Sequence, residues 1–158
     1  MQQSFETLFT ALERSSFGML IRDAVLIYPI ANVLHVLAVL VFFASVAVMD
    51  LRVLGALRQE ATETVIRRYR PVAFAAFAVI LASGIVLFTP EAWAIIRNPS
   101  FQIKLVLIAI GLLNLLWLQR SLGGGYPGMT ARRARLPAAL SLLLWLGVAA
   151  AGRYIAYI

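Results

Sequence analysis

His35 is the sole histidine of the chain, and it lies in an apolar run that carries no charge from Tyr28 to Met49. An imidazole inside a membrane helix is costly unless something binds it, so this residue is the first candidate for function. Neutral imidazole is a ligand for haem iron and for several metal ions, and it can also carry protons. A purely structural role is equally open, in which His35 bonds a neighbouring helix through Asn32, Ser83 or a backbone carbonyl.

The composition predicts an integral membrane protein. Of 158 residues, 62% are hydrophobic and 13% are charged, and the mean hydropathy is +0.89, which excludes a soluble domain. The absence of cysteine excludes disulfides and thiolate metal sites. The formal charge of +7 is explained by arginines that set membrane topology, so we expect a lipid bilayer and no nucleic acid as partner.

Four segments are long and apolar enough to span a bilayer, at about 25–49, 71–88, 101–118 and 136–158. They predict an all-α, four-helix transmembrane bundle that forms a single membrane domain over residues 1–158. Residues 1–23 repeat Phe5, Leu8, Phe9 and Leu12 at helical spacing, which predicts an amphipathic helix on the membrane surface. Together with the loop around Trp93, this helix is expected to cover the outer end of the bundle.

The arginine distribution predicts the orientation. Five arginines lie between the first two segments and four between the last two, so these loops hold nine of the 14 basic residues. The positive-inside rule places both loops in the cytoplasm and both termini on the periplasmic side.

Depth in the bilayer then decides which polar side chains can meet. His35 lies seven residues below Tyr28, roughly 10 Å into the outer half at the rise of an α-helix, and Asn114 lies beyond the midplane. The outer half is expected to hold the candidate set Asn32, His35, Ser83, Lys104 and Arg153. An imidazole ligand, small helix faces and cations for propionates together suit haem b, with His35 as the ligand of the iron.

Several of these residues have other interpretations. A six-coordinate haem needs a second strong ligand, for which only Met19 is conceivable, so a single-ligand haem or one shared by two chains is left. Lys104 could extend its ammonium group to the outer interface. Asp50 and Arg52 are expected to form a local ion pair or helix cap, and Asn114 to bond between helices. Without a membrane-embedded carboxylate, solute or ion transport is disfavoured.

The chain resembles a family of small four-helix bacterial inner-membrane proteins classed as a domain of unknown function. The motifs that carry this resemblance are Tyr28-Pro29-x-x-Asn32-x-x-His35, Asp50-Leu51-Arg52-x-x-Gly55, Phe101-x-x-Lys104 with Asn114, Ser141-Leu142-x-x-Trp145 and Gly152-Arg153-Tyr154-Ile155-Ala156-Tyr157. The resemblance covers nearly the whole chain and implies a multi-pass protein of the bacterial inner membrane. Family members often carry Glu at the position of Asn32.

A more distant resemblance leads to two further groups. The histidine followed by Lys104 and Asn114 is similar to the copper-resistance D (CopD) membrane domain, and the His35 and Lys104 pair resembles HemJ-type protoporphyrinogen oxidases, which bind haem b. The second resemblance implies that His35 is an axial ligand and that Lys104 faces the porphyrin, although Asn114 replaces the further histidine of HemJ proteins. Two hypotheses follow: a haem or porphyrin-binding redox module, and a non-catalytic accessory or assembly subunit of a larger membrane complex.

Overall fold

The computed structural model describes residues 2–56, 59–121 and 131–155, and in this part of the chain it contains helices and turns but no β-strand. Four helices are long and apolar enough to cross a membrane, which confirms the predicted all-α bundle. Numbered in chain order with a 3₁₀ turn at Thr89–Glu91, the helices are α1 (Gln2–Glu13), α2 (Ser16–Asp23), α3 (Ile27–Leu54), α4 (Thr62–Phe88), α5 (Ala92–Arg97), α6 (Pro99–Ser121) and α7 (Ala131–Ile155).

Helix α3 extends five residues beyond the predicted end at residue 49, so Asp50 lies inside it. It stops at Gly55, whose φ of 103° lies in the left-handed region that favours glycine. The N–H groups of Gly55 and Ala56 bond back to the carbonyls of Arg52 and Leu51, which satisfies two of the last carbonyls of the helix.

Helix α4 begins nine residues before the predicted start at residue 71, because Thr62 to Arg70 continue the helix as a polar extension. Pro71 therefore lies within the helix, where its missing N–H cannot bond to the carbonyl of Arg67. Arg67 is exposed, so solvent can bond to that carbonyl instead. The apolar periodicity identified the membrane span, but not the polar turns that precede it.

The four long helices pack in the spatial order α4, α3, α7, α6. Helix α3 contacts both α4 and α7, whereas α6 packs chiefly against α7 and has no extensive contact with α4 in the described residues. Since successive long helices are antiparallel, one end of the bundle holds the start of α3 and α6 and the end of α4 and α7. We call this the His35 end and the opposite one the Asp50 end.

The centre of the bundle is an aromatic layer. Phe42 and Trp145 meet edge to face with ring centroids 4.6 Å apart, and Phe77 lies 5.5 Å from Phe42. The indole of Trp145 also lies against Gly111 of α6, where a Cβ would come within 3.2 Å of the ring. These contacts join all four long helices. A second apolar cluster closer to the Asp50 end consists of Val53, Ile66, Leu118, Ala134 and Ala138.

The N-terminal segment forms two helices instead of the single predicted one. Ser15 breaks it, because its hydroxyl accepts a hydrogen bond from the N–H of Gly18 at 3.1 Å and so caps α2. A Cβ at Gly18 would lie only 2.4 Å from the carbonyl oxygen of Glu13, so the tight junction requires glycine. The prediction of a helical N-terminal element was correct, but its continuity was wrong.

The two short helices lie against the segment between α4 and α6, as expected from the sequence. Arg22 donates a hydrogen bond to the carbonyl of Pro90 at 2.5 Å, and a carboxylate oxygen of Glu13 accepts one from the N–H of Trp93 at 2.8 Å. Phe5 and Leu8 point away from the bundle and are 55% and 63% exposed. This arrangement leaves an apolar face of α1 available to the membrane interface.

Candidate functional site

The candidate site is centred on the imidazole of His35, which is half-buried on α3. Its Nδ1 lies 2.9 Å from the hydroxyl oxygen of Ser83 on α4. The same hydroxyl lies 2.6 Å from the carbonyl oxygen of Val79 and 3.3 Å from that of Ile80. Ser83 is buried, and its short bond to Val79 fixes the hydroxyl to its own helix.

This bonding pattern favours the tautomer of His35 that carries its proton on Nδ1. A serine hydroxyl has one proton, and the short contact shows that it is donated to the Val79 carbonyl. The Ser83 oxygen therefore accepts a hydrogen bond from Nδ1–H, which leaves the proton off Nε2. The Ile80 carbonyl also accepts a hydrogen bond from the imidazole. With the ring proton on Nδ1, the lone pair of Nε2 is available as a ligand.

Two glycines lie against the polar groups of the site. A Cβ at Gly84 would lie 3.5 Å from Cε1 of His35, and one at Gly152 would lie 3.5 Å from Nζ of Lys104. Gly84 thus lies beside the imidazole on α4, and Gly152 lies beside the ammonium group on α7.

Lys104 brings a positive charge to the same end of the bundle. Its side chain is partly buried, and its charge is close enough to act on the imidazole of His35. Among the described side chains no carboxylate forms an ion pair with it, since the ion pair found there joins Arg68 and Glu60. Lys104 is therefore a partly buried cation without an anionic partner among the described side chains.

The structure brings three of the five predicted site residues together: His35, Ser83 and Lys104, from α3, α4 and α6. Asn32 is exposed, because the buried stripe of α3 runs through Ala31 and Ala38 and position 32 lies about 100° away from it on the helix. Position 153 is helical, and the side chain of Arg153 lies outside the described part of the chain. Met19 is 49% exposed on α2, and no described contact links it to His35.

Aromatic layers lie on both sides of the site along the bundle axis. The layer formed by Phe42, Phe77 and Trp145 lies toward the Asp50 end. At the His35 end, the ring of Phe88 stacks on Phe101 with centroids 5.5 Å apart and meets Phe9 of α1 edge to face at 6.1 Å. Aromatic side chains therefore lie on both sides of the polar site along the bundle axis.

Sequence reasoning missed a second buried polar cluster, near the Asp50 end. Asp50 is only 2% exposed and is hydrogen bonded to Ser141, which is 3% exposed. The prediction of a local ion pair or helix cap for Asp50 and Arg52 is wrong. Asp50 lies inside α3, and Arg52 donates to the backbone carbonyl of Glu60 at 2.6 Å. The expectation that no carboxylate lies inside the bundle is also wrong.

The signal for this cluster was present in the spacing of α3. The buried positions Ala38, Val46 and Val53 form one stripe, and Asp50 falls on it, four residues after Val46. Asn114 bonds between helices, as predicted: its amide donates to the carbonyl of Pro137 at 2.8 Å.

The donor set limits the metal chemistry of the chain. The sequence holds one histidine and no cysteine, and the described residues contain no cluster of three or more histidine, aspartate or glutamate side chains that could hold a metal ion. A bare ion with an all-protein ligand set is not supported by this part of the chain.

Comparison with known proteins identifies the family of the chain. No curated protein and no solved structure matches the chain. Residues 8–158 match the family DUF6644, described as a family of unknown function, and the chain belongs to that family.

Proposed function

We propose that the His35 end of the bundle binds haem b or a related metalloporphyrin, and that Nε2 of His35 would hold the iron. The observation that carries this proposal is the bond from Nδ1–H to Ser83, whose hydroxyl is itself bonded to the Val79 carbonyl. Histidines that ligate metals generally donate their other N–H to such an acceptor, which fixes the tautomer and the ring orientation.

A porphyrin fits the donor set better than a free metal ion. Haem iron arrives with four ring nitrogens, so a single imidazole is enough to hold it. The chain offers one histidine and no thiolate, which is too few ligands for copper or zinc bound by protein alone.

The charge at the site also favours a porphyrin. Lys104 lacks an anionic partner among the described side chains, and a haem propionate would supply one. When bound, the haem would supply one-electron redox chemistry, and the chain would position it and neutralise its carboxylates.

The second candidate is a non-catalytic accessory or assembly subunit of a larger membrane complex, or a homodimer. It is favoured by the lack of extensive contact between α4 and α6, which leaves their facing surfaces for a partner or for lipid. A dimer would also let two chains each offer His35 to one haem.

A titration with haemin tests the first proposal. We expect the protein, purified in mild detergent, to give a Soret band that saturates at a defined stoichiometry and shifts on reduction. The matched measurement uses detergent micelles of the same concentration without protein. A linear absorbance increase equal to that of empty micelles would reject haem binding.

Reporter fusions test the proposed orientation in the bacterial inner membrane. Arg52, Arg67, Arg68, Arg70 and Arg135 lie at the Asp50 end, so we expect that end to face the cytoplasm. A reporter active only in the periplasm is expected to be silent when fused after Arg133 and active after Ile158. Activity after Arg133, or silence after Ile158, would reverse the orientation.

A further inference from the structure

Two buried oxygen atoms near the Asp50 end have no hydrogen-bond partner among the described residues. They are Oδ2 of Asp50 and Oδ1 of Asn114, in residues that are 2% and 6% exposed. Leaving a buried polar atom unpaired costs about 1–3 kcal/mol, and more if the atom is charged. Buried oxygen atoms of this kind therefore call for a hydrogen-bond partner that the described side chains and backbone do not provide.

Both residues contact the same short stretch of α7. Asp50 is hydrogen bonded to Ser141, and the Asn114 amide donates to the carbonyl of Pro137, one helical turn away from Ser141. The bond to a carbonyl identifies the amide nitrogen of Asn114, so its oxygen is the atom without a partner. Both unpaired atoms are thus acceptors, and the group they lack is a donor.

Apolar clusters lie on both sides of these polar residues along the bundle axis. On one side lie Val46, Ala73 and Trp145, and on the other lies the cluster around Val53, Ile66 and Leu118. Met49, the residue before Asp50, packs against both clusters.

No cationic side chain reaches the Asp50 carboxyl among the described residues. Arg52, on the same helix, donates to the Glu60 carbonyl. Arg135 of α7 is exposed and extends toward Gly55. On α4, Arg67, Arg68 and Arg70 are exposed, and Arg68 pairs with Glu60. A buried carboxylate without a cation or a proton would be strongly unfavourable.

We propose that Asp50, Asn114 and Ser141 form a proton-binding site within the bundle. The Asp50 carboxyl takes one proton from water at the Asp50 end and returns it there. On Oδ2, this proton is the donor that the Asn114 oxygen lacks, while Ser141 bonds to the carboxyl. The site lies 15 residues along α3 from His35, about 22 Å at the helical rise, so it is independent of haem binding.

Infrared difference spectra of the purified protein between acidic and alkaline buffers test this site. We expect a carbonyl band at the high frequency of a buried carboxylic acid, which shifts in D2O and disappears in Asp50→Asn. The isosteric amide keeps the neutral shape, so this variant should fold. Glu63→Gln, which removes an exposed carboxyl from α4, should leave the band unchanged.

Asn114→Leu tests the partner of the proton separately from Asp50. A carboxylic acid that loses its hydrogen-bond acceptor vibrates at a higher frequency, so the band should move up in this variant. An unmoved band would remove Asn114 from the site. The proposal would be overturned if the wild type lacked the band or if Asp50→Asn retained it. A band that is present in choline chloride but lost in NaCl would show that the site binds sodium instead of a proton.

Discussion

His35→Ala is expected to abolish the saturable Soret band seen with haemin. The substitution removes Nε2, the candidate ligand of the iron, and the sequence offers no other histidine or cysteine to replace it. Lys104 and the aromatic layers could still hold a porphyrin weakly, but without the spectrum of a histidine-ligated iron. The measurement is the same titration in mild detergent, recorded in the oxidised and reduced states.

The control for this variant is Val36→Ala, one residue further along α3. Val36 is 52% exposed, so the substitution tests expression and folding without touching the site. Added imidazole should restore the histidine-type spectrum to His35→Ala by filling the space that the ring leaves. A Soret band of unchanged position and affinity in His35→Ala would show that another group ligates the iron.

A substitution at Ser83 is expected to cause a partial loss of haem binding in the same titration. Loss of the acceptor for Nδ1–H frees the imidazole to rotate and change tautomer, and such losses lower metal affinity by about 10–100-fold. Ser83→Ala should therefore weaken haem binding without abolishing it. Ser45→Ala is the matched control, because Ser45 is also buried and donates to the carbonyl four residues before it, but lies ten residues along α3 from His35.

The fold could be predicted from the sequence because it depends on the length and apolar character of whole segments. Four long apolar segments must cross a bilayer, and short connections make successive helices antiparallel. The polar ends of the helices could not be placed in the same way. Charged residues interrupt the apolar run in Thr62 to Arg70 and in Asp50 to Leu54, although Val53 and Ile66 are buried. Backbone hydrogen bonding continues the helices through these segments.

The candidate site was predicted in part for a related reason. Depth along each helix predicted His35, Ser83 and Lys104 in the same half of the bilayer, and the structure has all three at the same end of the bundle. Whether a residue faces the site also depends on its rotation about the helix axis. Ala31 and Asn32 are adjacent, yet Ala31 is buried and Asn32 is exposed. Asp50 was misassigned because its neighbour Arg52 offered a local partner, whereas the packing of α7 provided Ser141, which is 91 residues away in sequence.

The Gly84 and Gly152 positions show what sequence reasoning could not supply. Glycine in a membrane helix usually indicates close helix packing. In this bundle the space beside each of these glycines is occupied by a polar side chain, His35 or Lys104, instead of a neighbouring backbone. Only the three-dimensional arrangement distinguishes the two uses.

Trp145→Ala is expected to produce the largest loss of stability among substitutions in the bundle core. Trp145 is 6% exposed, and its indole contacts Phe42, Phe77 and Gly111, so it joins α7 to the other three long helices. Removing a buried aromatic side chain costs about 3–5 kcal/mol in soluble proteins. We expect about 3 kcal/mol here, because lipid is already apolar and the cost comes from lost packing and the cavity.

Reversible unfolding in mixed micelles measures this change in the free energy of unfolding. Trp117→Ala is the matched control, since Trp117 is on α6, is 44% exposed and should change stability by no more than about 0.5 kcal/mol. Equal losses in the two variants would show that the aromatic layer is not the main packing contact. A loss confined to Trp145→Ala, with weakened haemin binding, would show that this layer also keeps the helices at the spacing that the His35 end requires.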